Sequence, residues 1–202
     1  MINFLQEGGF FMWAILACSF VTVTIGILKV LQLRRIAIIP LELEEMLISI
    51  QGSAGELHKI HTFVGLHPSK LGTLCQVILE LREWPREHIQ ARLEARSQEE
   101  IIDLNRGVNA LEVIYTIAPL LGLLGTASGL VTVFASLGES QDYSVLAIGI
   151  SRALSTTIAG LAVAIPAVIM HTYFESLIFR YVARLEVLIE RLVNRVIQSE
   201  GA

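Results

Sequence analysis

The histidines His58, His61 and His67 are the residues of this sequence that come nearest to a metal site. Their spacing can place two imidazoles on one face of a helix, as zinc binding requires. No cysteine or carboxylate completes a tetrahedral set, so we interpret the three as solvated side chains and expect no metal. The sequence also contains no glycine-rich phosphate loop and no catalytic dyad. It therefore predicts a protein that is not an enzyme and binds no cofactor.

Small and hydroxyl-bearing residues recur at helical spacing in two apolar segments. Gly122, Thr126 and Gly129 follow one another at i, i+4 and i+7. A second series with helical spacing consists of Gly149, Ala153, Thr156 or Thr157, Gly160 and Ala164. Two interpretations are open. The small residues let two helices approach closely within a membrane, or the hydroxyls of Thr126 and Thr157 line a narrow wet path.

Close helix packing and local loosening are both expected in these segments. Proline removes a backbone donor from a helix and loosens it locally. The residues that we assign to the packing of the two helices are Gly122, Gly125, Gly129, Gly160, Pro119 and Pro166.

The elements that hold these residues follow from composition. Of 202 residues, 53% are apolar and 17% are charged, and 15 basic against 19 acidic side chains give a net charge of −4. Segments 8–28, 113–138 and 153–174 contain no charged residue, and each exceeds the roughly 20 residues that cross a bilayer. The sequence thus predicts three membrane spans. Without a dense basic stripe, it predicts no nucleic-acid partner.

The distribution of basic residues predicts the orientation of the spans. Lys29, Arg34 and Arg35 follow span one, and several arginines follow span three, whereas the segments before span one and between spans two and three carry no base. Short loops rich in Lys and Arg stay in the cytoplasm. We therefore expect the N-terminus outside and the C-terminus inside. Cys75, in the middle segment, is then a cytoplasmic free thiol, and Cys18 is a free thiol within span one.

The fold class that we predict is an all-α membrane protein, with a helical insert between spans one and two. Apolar residues keep helical spacing from residue 85 into span two and from span three to residue 197, so we expect helices two and three to extend without a break into the cytoplasm. The predicted segments are a periplasmic N-terminus at 1–8, transmembrane helices at 9–33, 109–137 and 145–174, a cytoplasmic helical domain at 34–108, a periplasmic turn at 138–144 and a cytoplasmic C-terminal helix at 175–202.

His171 is a single imidazole near the cytoplasmic end of span three. Ionisable residues within membrane segments are rare, and those that occur often mark ion or proton pathways. Two interpretations are open here as well. His171 is either a hydrogen-bonding group at the membrane interface or a member of a proton relay.

Two stretches carry a family resemblance, TIAPLLGLLGTASGLVTVF at 116–134 and GISRALSTTIAGLAVAIPAVI at 149–169. They resemble the second and third transmembrane helices of the ExbB/TolQ/MotA proton-channel family, and are most similar to ExbB and TolQ. The resemblance implies a homo-pentamer in the bacterial inner membrane that surrounds an ExbD- or TolR-like single-span partner. Such complexes convert the proton-motive force into work on TonB-like, Tol-Pal-like or other envelope machinery.

The resemblance also assigns roles to particular residues. The pore threonines of the family fall on Thr126 and Thr157, and its Ala-Ile-Pro-Ala element falls on residues 164–167. Proton conduction needs a titratable carrier, and no carboxylate lies deep in any predicted span of this chain. The resemblance implies that an aspartate of the ExbD-like partner supplies that carrier.

Arg152 is a departure from the family pattern. ExbB and TolQ proteins usually carry a glutamate at this place, and here the element reads GISRAL. Arg152 is either a charge of the pore or interface, paired with Glu139 or Asp142, or a side chain that snorkels to the membrane surface. The reversed charge leaves both H⁺ and Na⁺ open as the transported ion.

Two functions of other classes are alternatives to the channel. In the first, the chain is a non-conducting structural scaffold whose glycine-lined helices only assemble a complex. In the second, it is a membrane enzyme or a small-solute transporter. The second lacks support because the sequence has no catalytic set and no inverted repeat of broken helices.

Overall fold

The computed structural model describes residues 9–136 and 143–200, which leaves most of the predicted turn at 138–144 outside the described residues. The regular elements of the described residues are helices. In chain order they are α1 (Gly9–Gln32), α2 (Arg35–Ile38), α3 (Leu41–Ser49), α4 (Ala54–Leu66), α5 (Lys70–Glu80), α6 (Arg86–Asn105), α7 (Val108–Ser136) and α8 (Tyr143–Glu200). The predicted all-α class is confirmed for this part of the chain.

Three of these helices are long and apolar enough to cross a membrane. The apolar stretches are Phe10–Gln32 in α1, Val108–Ala135 in α7 and Ala147–Val196 in α8. Their lengths of 23, 28 and 50 residues exceed the roughly 20 residues that a hydrocarbon core requires. The prediction of three apolar helices of spanning length is therefore confirmed.

Two threonine hydroxyls within α1 are satisfied inside the helix. The hydroxyl of Thr22 donates to the carbonyl of Cys18 at 2.8 Å, and the hydroxyl of Thr24 donates to the carbonyl of Phe20 at 2.8 Å. Unpaired polar groups are costly in hydrocarbon. These bonds let a helix that contains two threonines lie among lipid tails.

The short helices between α1 and α7 begin at residues that favour helix starts. Ser53 precedes α4 and forms a capping box with Glu56, and Ser69 accepts a hydrogen bond from the backbone N–H of Gly72 at 3.1 Å. Such caps satisfy the free N–H groups of the first turn. Pro40 and Pro85 directly precede α3 and α6. Proline disrupts the interior of a helix but is tolerated at its start, so both prolines lie where a new helix begins.

The prediction of one unbroken helix from residue 85 into span two is wrong. α6 ends at Asn105 and α7 begins at Val108, with Gly107 at φ 90° between them. A positive φ is a conformation that glycine adopts readily and other residues rarely do. Sequence periodicity did not detect the break because apolar residues keep their spacing through it, and a single glycine is tolerated within helices.

The expected continuation of the third span is present in the structure. α8 runs from Tyr143 to Glu200 over 58 residues, which at 1.5 Å per residue is about 87 Å. Its second half buries a stripe of apolar side chains at spacings of three, four and seven. The members of this stripe are Ile178, Leu185, Leu188, Ile189, Leu192 and Val196.

The described residues form two compact units. One contains residues up to Leu28 together with 107–174, and the other contains residues 29–106 together with those from Glu175 onward. The second unit has its own aliphatic core, whose fully buried members include Leu43, Leu47, Ile60, Leu71, Ile78, Leu188 and Leu192. Burial of each such side chain contributes about 1.5 to 3 kcal/mol to the stability of this unit.

A buried carboxylate connects three elements of the second unit. Glu44 on α3 pairs with Arg35 at 3.0 Å and with Arg184 on α8 at 2.7 Å. Burial by itself raises the pKa of Glu44, but the hydrogen bonds and charges of Arg184 and Arg35 outweigh it, so this pKa lies below its ordinary value. The ionised carboxylate thereby ties α2 and α3 to α8.

Candidate functional site

The hydroxyls of Thr126 and Thr157 meet where α7 and α8 pack together. Their oxygens lie 2.7 Å apart, although 31 residues separate them in the chain. Both oxygens also lie within hydrogen-bond distance of the Gly122 carbonyl, at 3.0 Å from Thr126 and 3.1 Å from Thr157. The structure thus brings together the two threonines that the sequence analysis selected, on a shared backbone acceptor.

The hydroxyl pair has two ways of placing its hydrogen atoms, because each threonine carries one donor. In one arrangement Thr126 donates to Thr157, and Thr157 donates to the Gly122 carbonyl. In the other, Thr157 donates to Thr126, and Thr126 donates to the carbonyl of Gly122 or of Leu123, both at 3.0 Å. Either hydroxyl can therefore turn its hydrogen toward an added acceptor while the other keeps a backbone partner.

Glycines allow α7 and α8 to approach closely enough for this pair to form. A Cβ atom on Gly160 would lie 2.5 Å from the carbonyl oxygen of Ala118, and one on Gly122 would lie 2.9 Å from Cα of Thr157. Real Cβ atoms do not come so near to backbone atoms, so any larger residue would force the helices apart. The packing expected at Gly122 and Gly160 is present within one chain.

Gly125 and Gly129 face Thr156 and Ala153 of α8. A Cβ atom on Gly125 would lie 2.6 Å from Oγ1 of Thr156, and one on Gly129 would lie 3.0 Å from Cβ of Ala153. Both α7 and α8 continue as helices through their prolines, Pro119 and Pro166. A role of these residues beyond packing between the two helices stays a prediction.

Thr156 is a packing residue that the sequence did not separate from Thr157. Its side chain is 2% exposed, and its hydroxyl has the carbonyls of Ala153 at 2.8 Å and Gly122 at 3.2 Å as acceptors. Thr157, one residue further, is half-buried and reaches Thr126. Helical spacing permits either threonine to face α7. The structure distinguishes them, because Thr156 is buried against Gly125 whereas Thr157 is half-buried and meets Thr126.

Arg152 lies on α8, but its side chain is outside the part of the chain that the structure describes. The proposed acidic partners, Glu139 and Asp142, also lie outside them. The assignment of Arg152 to the pore, to an interface or to the membrane surface stays a prediction.

The histidines occupy three different settings. His58 and His61 lie on α4, and His67 caps its end and stacks on Phe63 with ring centroids 4.6 Å apart. Within residues 9–136 and 143–200, no three potential ligands gather as a metal site would require. His171 on α8 contacts the ring of Tyr115 on α7 edge to face, with centroids 5.5 Å apart.

Three apolar helices of spanning length, two of which hold a part-buried hydroxyl pair between them, define a helical membrane protein with a polar contact between two of its apolar helices. The family model of the MotA/TolQ/ExbB proton channel family matches residues 70–187, more than half of the chain. The chain belongs to this family, as the sequence resemblance predicted.

Individual relatives carry the name ExbB. The chain is 38% identical over 112 residues to an ExbB-like biopolymer transport protein of Synechocystis, a match that covers 53% of this chain and 44% of the relative. It is 42% identical over 72 residues to the biopolymer transport protein ExbB of Helicobacter pylori, covering 35% and 50% of the two chains. For ExbB of Salmonella typhimurium the identity is 36% over 108 residues, covering 52% and 44%. The chain thus spans about half the length of these relatives.

Proposed function

We propose that this protein is a subunit of an inner-membrane ion channel that converts the proton-motive force into mechanical work on the cell envelope. The observation that carries the proposal is the pair of hydroxyls of Thr126 and Thr157, 2.7 Å apart, inside a helix contact of a proton-channel family member. The names of its relatives, biopolymer transport proteins, support a role in transport across the envelope.

The hydroxyl pair by itself cannot carry charge through the membrane. A threonine hydroxyl does not ionise in the physiological range, and segments 113–138 and 153–174 contain no Asp or Glu. A partner must therefore bring the ion carrier, and the family resemblance assigns it to an aspartate on a single-span partner of the ExbD or TolR kind. The ionised aspartate accepts hydrogen bonds from the pair, and protonation neutralises it and weakens that hold.

The transmembrane potential supplies the driving force for each transfer. A potential of 100 mV acting on one elementary charge contributes about 2.3 kcal/mol. Several protons moved in sequence can drive a rotation or a conformational step of the partner. The work would be passed to TonB-like, Tol-Pal-like or other envelope machinery.

The assembly that we propose is a homo-pentamer whose second and third spans surround the partner. Family membership supports it. Large apolar side chains on α7 and α8 also need a cover, because Leu123 is 61% exposed and Ile158 is 65% exposed in the single chain. Lipid tails or neighbouring subunits must cover such surfaces. The basic residues after spans one and three support an orientation with the N-terminus in the periplasm and segments 34–108 and 175–202 in the cytoplasm.

Valine substitutions test the hydroxyl pair, because valine has nearly the shape of threonine without its hydroxyl. We expect Thr126→Val with Thr157→Val to preserve assembly and partner binding and to lower partner-dependent ion flux at least about fivefold. An unsatisfied buried polar group costs about 1 to 3 kcal/mol, which is enough for that loss. Flux is measured in vesicles that contain the chain with its partner.

Two matched controls separate a pore role from packing. Thr132→Val removes an exposed hydroxyl that bonds only within α7, to Ser128 at 3.1 Å, and should leave flux unchanged. Thr156→Val removes a buried packing hydroxyl. We expect it to lower the melting temperature and to retain most of the flux. Full flux in the Thr126 and Thr157 double variant would instead mean that the pair only packs. Absence of flux in the wild-type complex would favour the non-conducting scaffold, which the close glycine contacts of Gly122 and Gly160 also suit.

A further inference from the structure

The ring contact between His171 and Tyr115 is a second contact between ring or polar side chains in the compact unit that contains residues 107–174. It joins α8 to α7, the same two helices that carry the threonine pair, and both side chains are half-buried. Histidine is the side chain that ordinarily gains and loses a proton between pH 5 and 8. The contact therefore places a group capable of proton exchange between two helices of a proton-channel family member.

Helix geometry places this contact on the same faces as the threonine pair. His171 follows Thr157 by 14 residues and Tyr115 precedes Thr126 by 11 residues, and both intervals are close to whole numbers of helical turns at 3.6 residues per turn. With a rise of 1.5 Å per residue, the separations along the helices are about 21 Å and about 16 Å. The two polar features thus follow one line along the contact between α7 and α8.

The helices carry no other ionisable group between these two features. Residues 158–170 of α8 and 116–125 of α7 contain no acidic, basic, histidine, cysteine or tyrosine side chain. On α1, which approaches α8 where Gly26 meets Met170, Cys18 is the ionisable side chain between Phe10 and Leu28. A proton that the partner's aspartate releases between the threonine pair and the cytoplasmic end of these helices therefore meets His171 and Tyr115 as their first ionisable side chains.

The charged residues nearest along the chain lie one turn beyond the ring contact. Glu112 precedes Tyr115 by three residues on α7, and Glu175 follows His171 by four residues on α8. Both glutamates are exposed. Glu112 is thus the acidic side chain nearest to Tyr115 along α7, within the same compact unit.

We propose that His171, held against Tyr115, is the proton-exchange group at the cytoplasmic end of the ion path. The lone pair of one ring nitrogen accepts a proton, which gives an imidazolium, and the imidazolium then releases a proton to water on the cytoplasmic side. The neutral ring is restored, so no other reactant is consumed. This inference rests on the channel function and orientation proposed above and adds a residue that acts after the threonine pair.

The experiment measures proton flux as a function of pH in vesicles that contain the full-length chain with its single-span partner. We expect His171→Gln to lower flux at least about tenfold, since a positioned acid–base group contributes a factor of this size or more. The dependence of flux on pH in the range where imidazoles titrate should disappear in the same variant. Tyr115→Phe keeps the ring contact without the hydroxyl and should retain most of the flux, whereas Tyr173→Phe alters an exposed tyrosine nearby and serves as the control.

Chemical rescue separates proton exchange from a structural role. His171→Ala should lose flux and regain part of it when free imidazole is added, because the small molecule can occupy the space and carry the proton. Wild-type flux with an unchanged pH profile in His171→Gln would overturn the inference. Loss of flux without rescue and with an unchanged pH profile would also overturn it, since His171 would then only pack.

The wild-type complex distinguishes this inference from the channel function on which it rests. If the wild type conducts and the threonine double variant does not, the channel function stands whatever His171 does. If the wild type does not conduct, both proposals fail together. Assembly of each variant is verified by native mass spectrometry before flux is measured.

Discussion

The carboxylate of Glu44 and the guanidinium of Arg184 are joined by contacts of 2.7 Å, although 140 residues separate them in the chain. Arg35 holds the second carboxylate oxygen at 3.0 Å. The side chain of Glu44 is 7% exposed, so its charge is balanced by the two arginines more than by water. A link of this kind makes the stability of the second unit depend on pH.

The first prediction follows from the lowered pKa of Glu44. Because the unfolded chain binds a proton at this carboxylate more readily than the folded chain does, the stabilisation is complete above the ordinary glutamate pKa of about 4.3. It is lost as the pH falls through the lowered folded value. Glu44→Gln should therefore decrease the melting temperature at neutral pH, by the equivalent of about 1 kcal/mol. The variant should also show a smaller decrease in melting temperature between neutral and acidic pH than the wild type. Glu42→Gln, an exposed neighbour on α3, is the control, and equal melting curves for the two variants would contradict the prediction.

The second prediction concerns the glycine contact between α7 and α8. Gly160→Ala places a Cβ atom 2.5 Å from the carbonyl oxygen of Ala118, so the helices must move apart and the bond between Thr126 and Thr157 must lengthen. Overpacking of this kind costs about 1 to 3 kcal/mol. We expect a lower melting temperature and reduced ion flux. Gly55→Ala, where no atom lies within 4 Å of the added Cβ, should lower neither, and a Gly160→Ala protein as stable as the wild type would show that the helices adapt at little cost.

The third prediction concerns the orientation in the membrane. Cys75 is fully buried, and burial raises the pKa of its thiol to about 12, so it should react with an impermeant thiol reagent neither in intact nor in opened cells. Leu66→Cys places a thiol at a position that is 71% exposed. If segment 34–108 is cytoplasmic, this thiol should be labelled only after the membrane is opened. The wild-type chain gives the background, and labelling of Leu66→Cys in sealed cells would reverse the proposed topology.

Much of the architecture could be predicted from local patterns. Uncharged segments at 8–28, 113–138 and 153–174 predict three spans because charges are costly in hydrocarbon over a fixed thickness. The spacing of apolar residues after residue 175 predicts the continuation of α8, because a helix repeats every 3.6 residues. The candidate pair of Thr126 and Thr157 was selected from two sequence stretches and a family resemblance.

The sequence by itself determined the number of apolar segments of spanning length and the helical class, because these depend on composition and on period along a single segment. The family resemblance, not the period, added Thr126 and Thr157. Tertiary structure alone decided which hydroxyl of Thr156 and Thr157 meets Thr126, since both satisfy the same spacing and differ only in what α7 places opposite them. It also decided the break at Gly107, the burial of Cys75 and the pairing of Glu44 with Arg184. Each of these depends on distances between residues far apart in the chain or on a single backbone angle, and a periodic pattern contains no information about either.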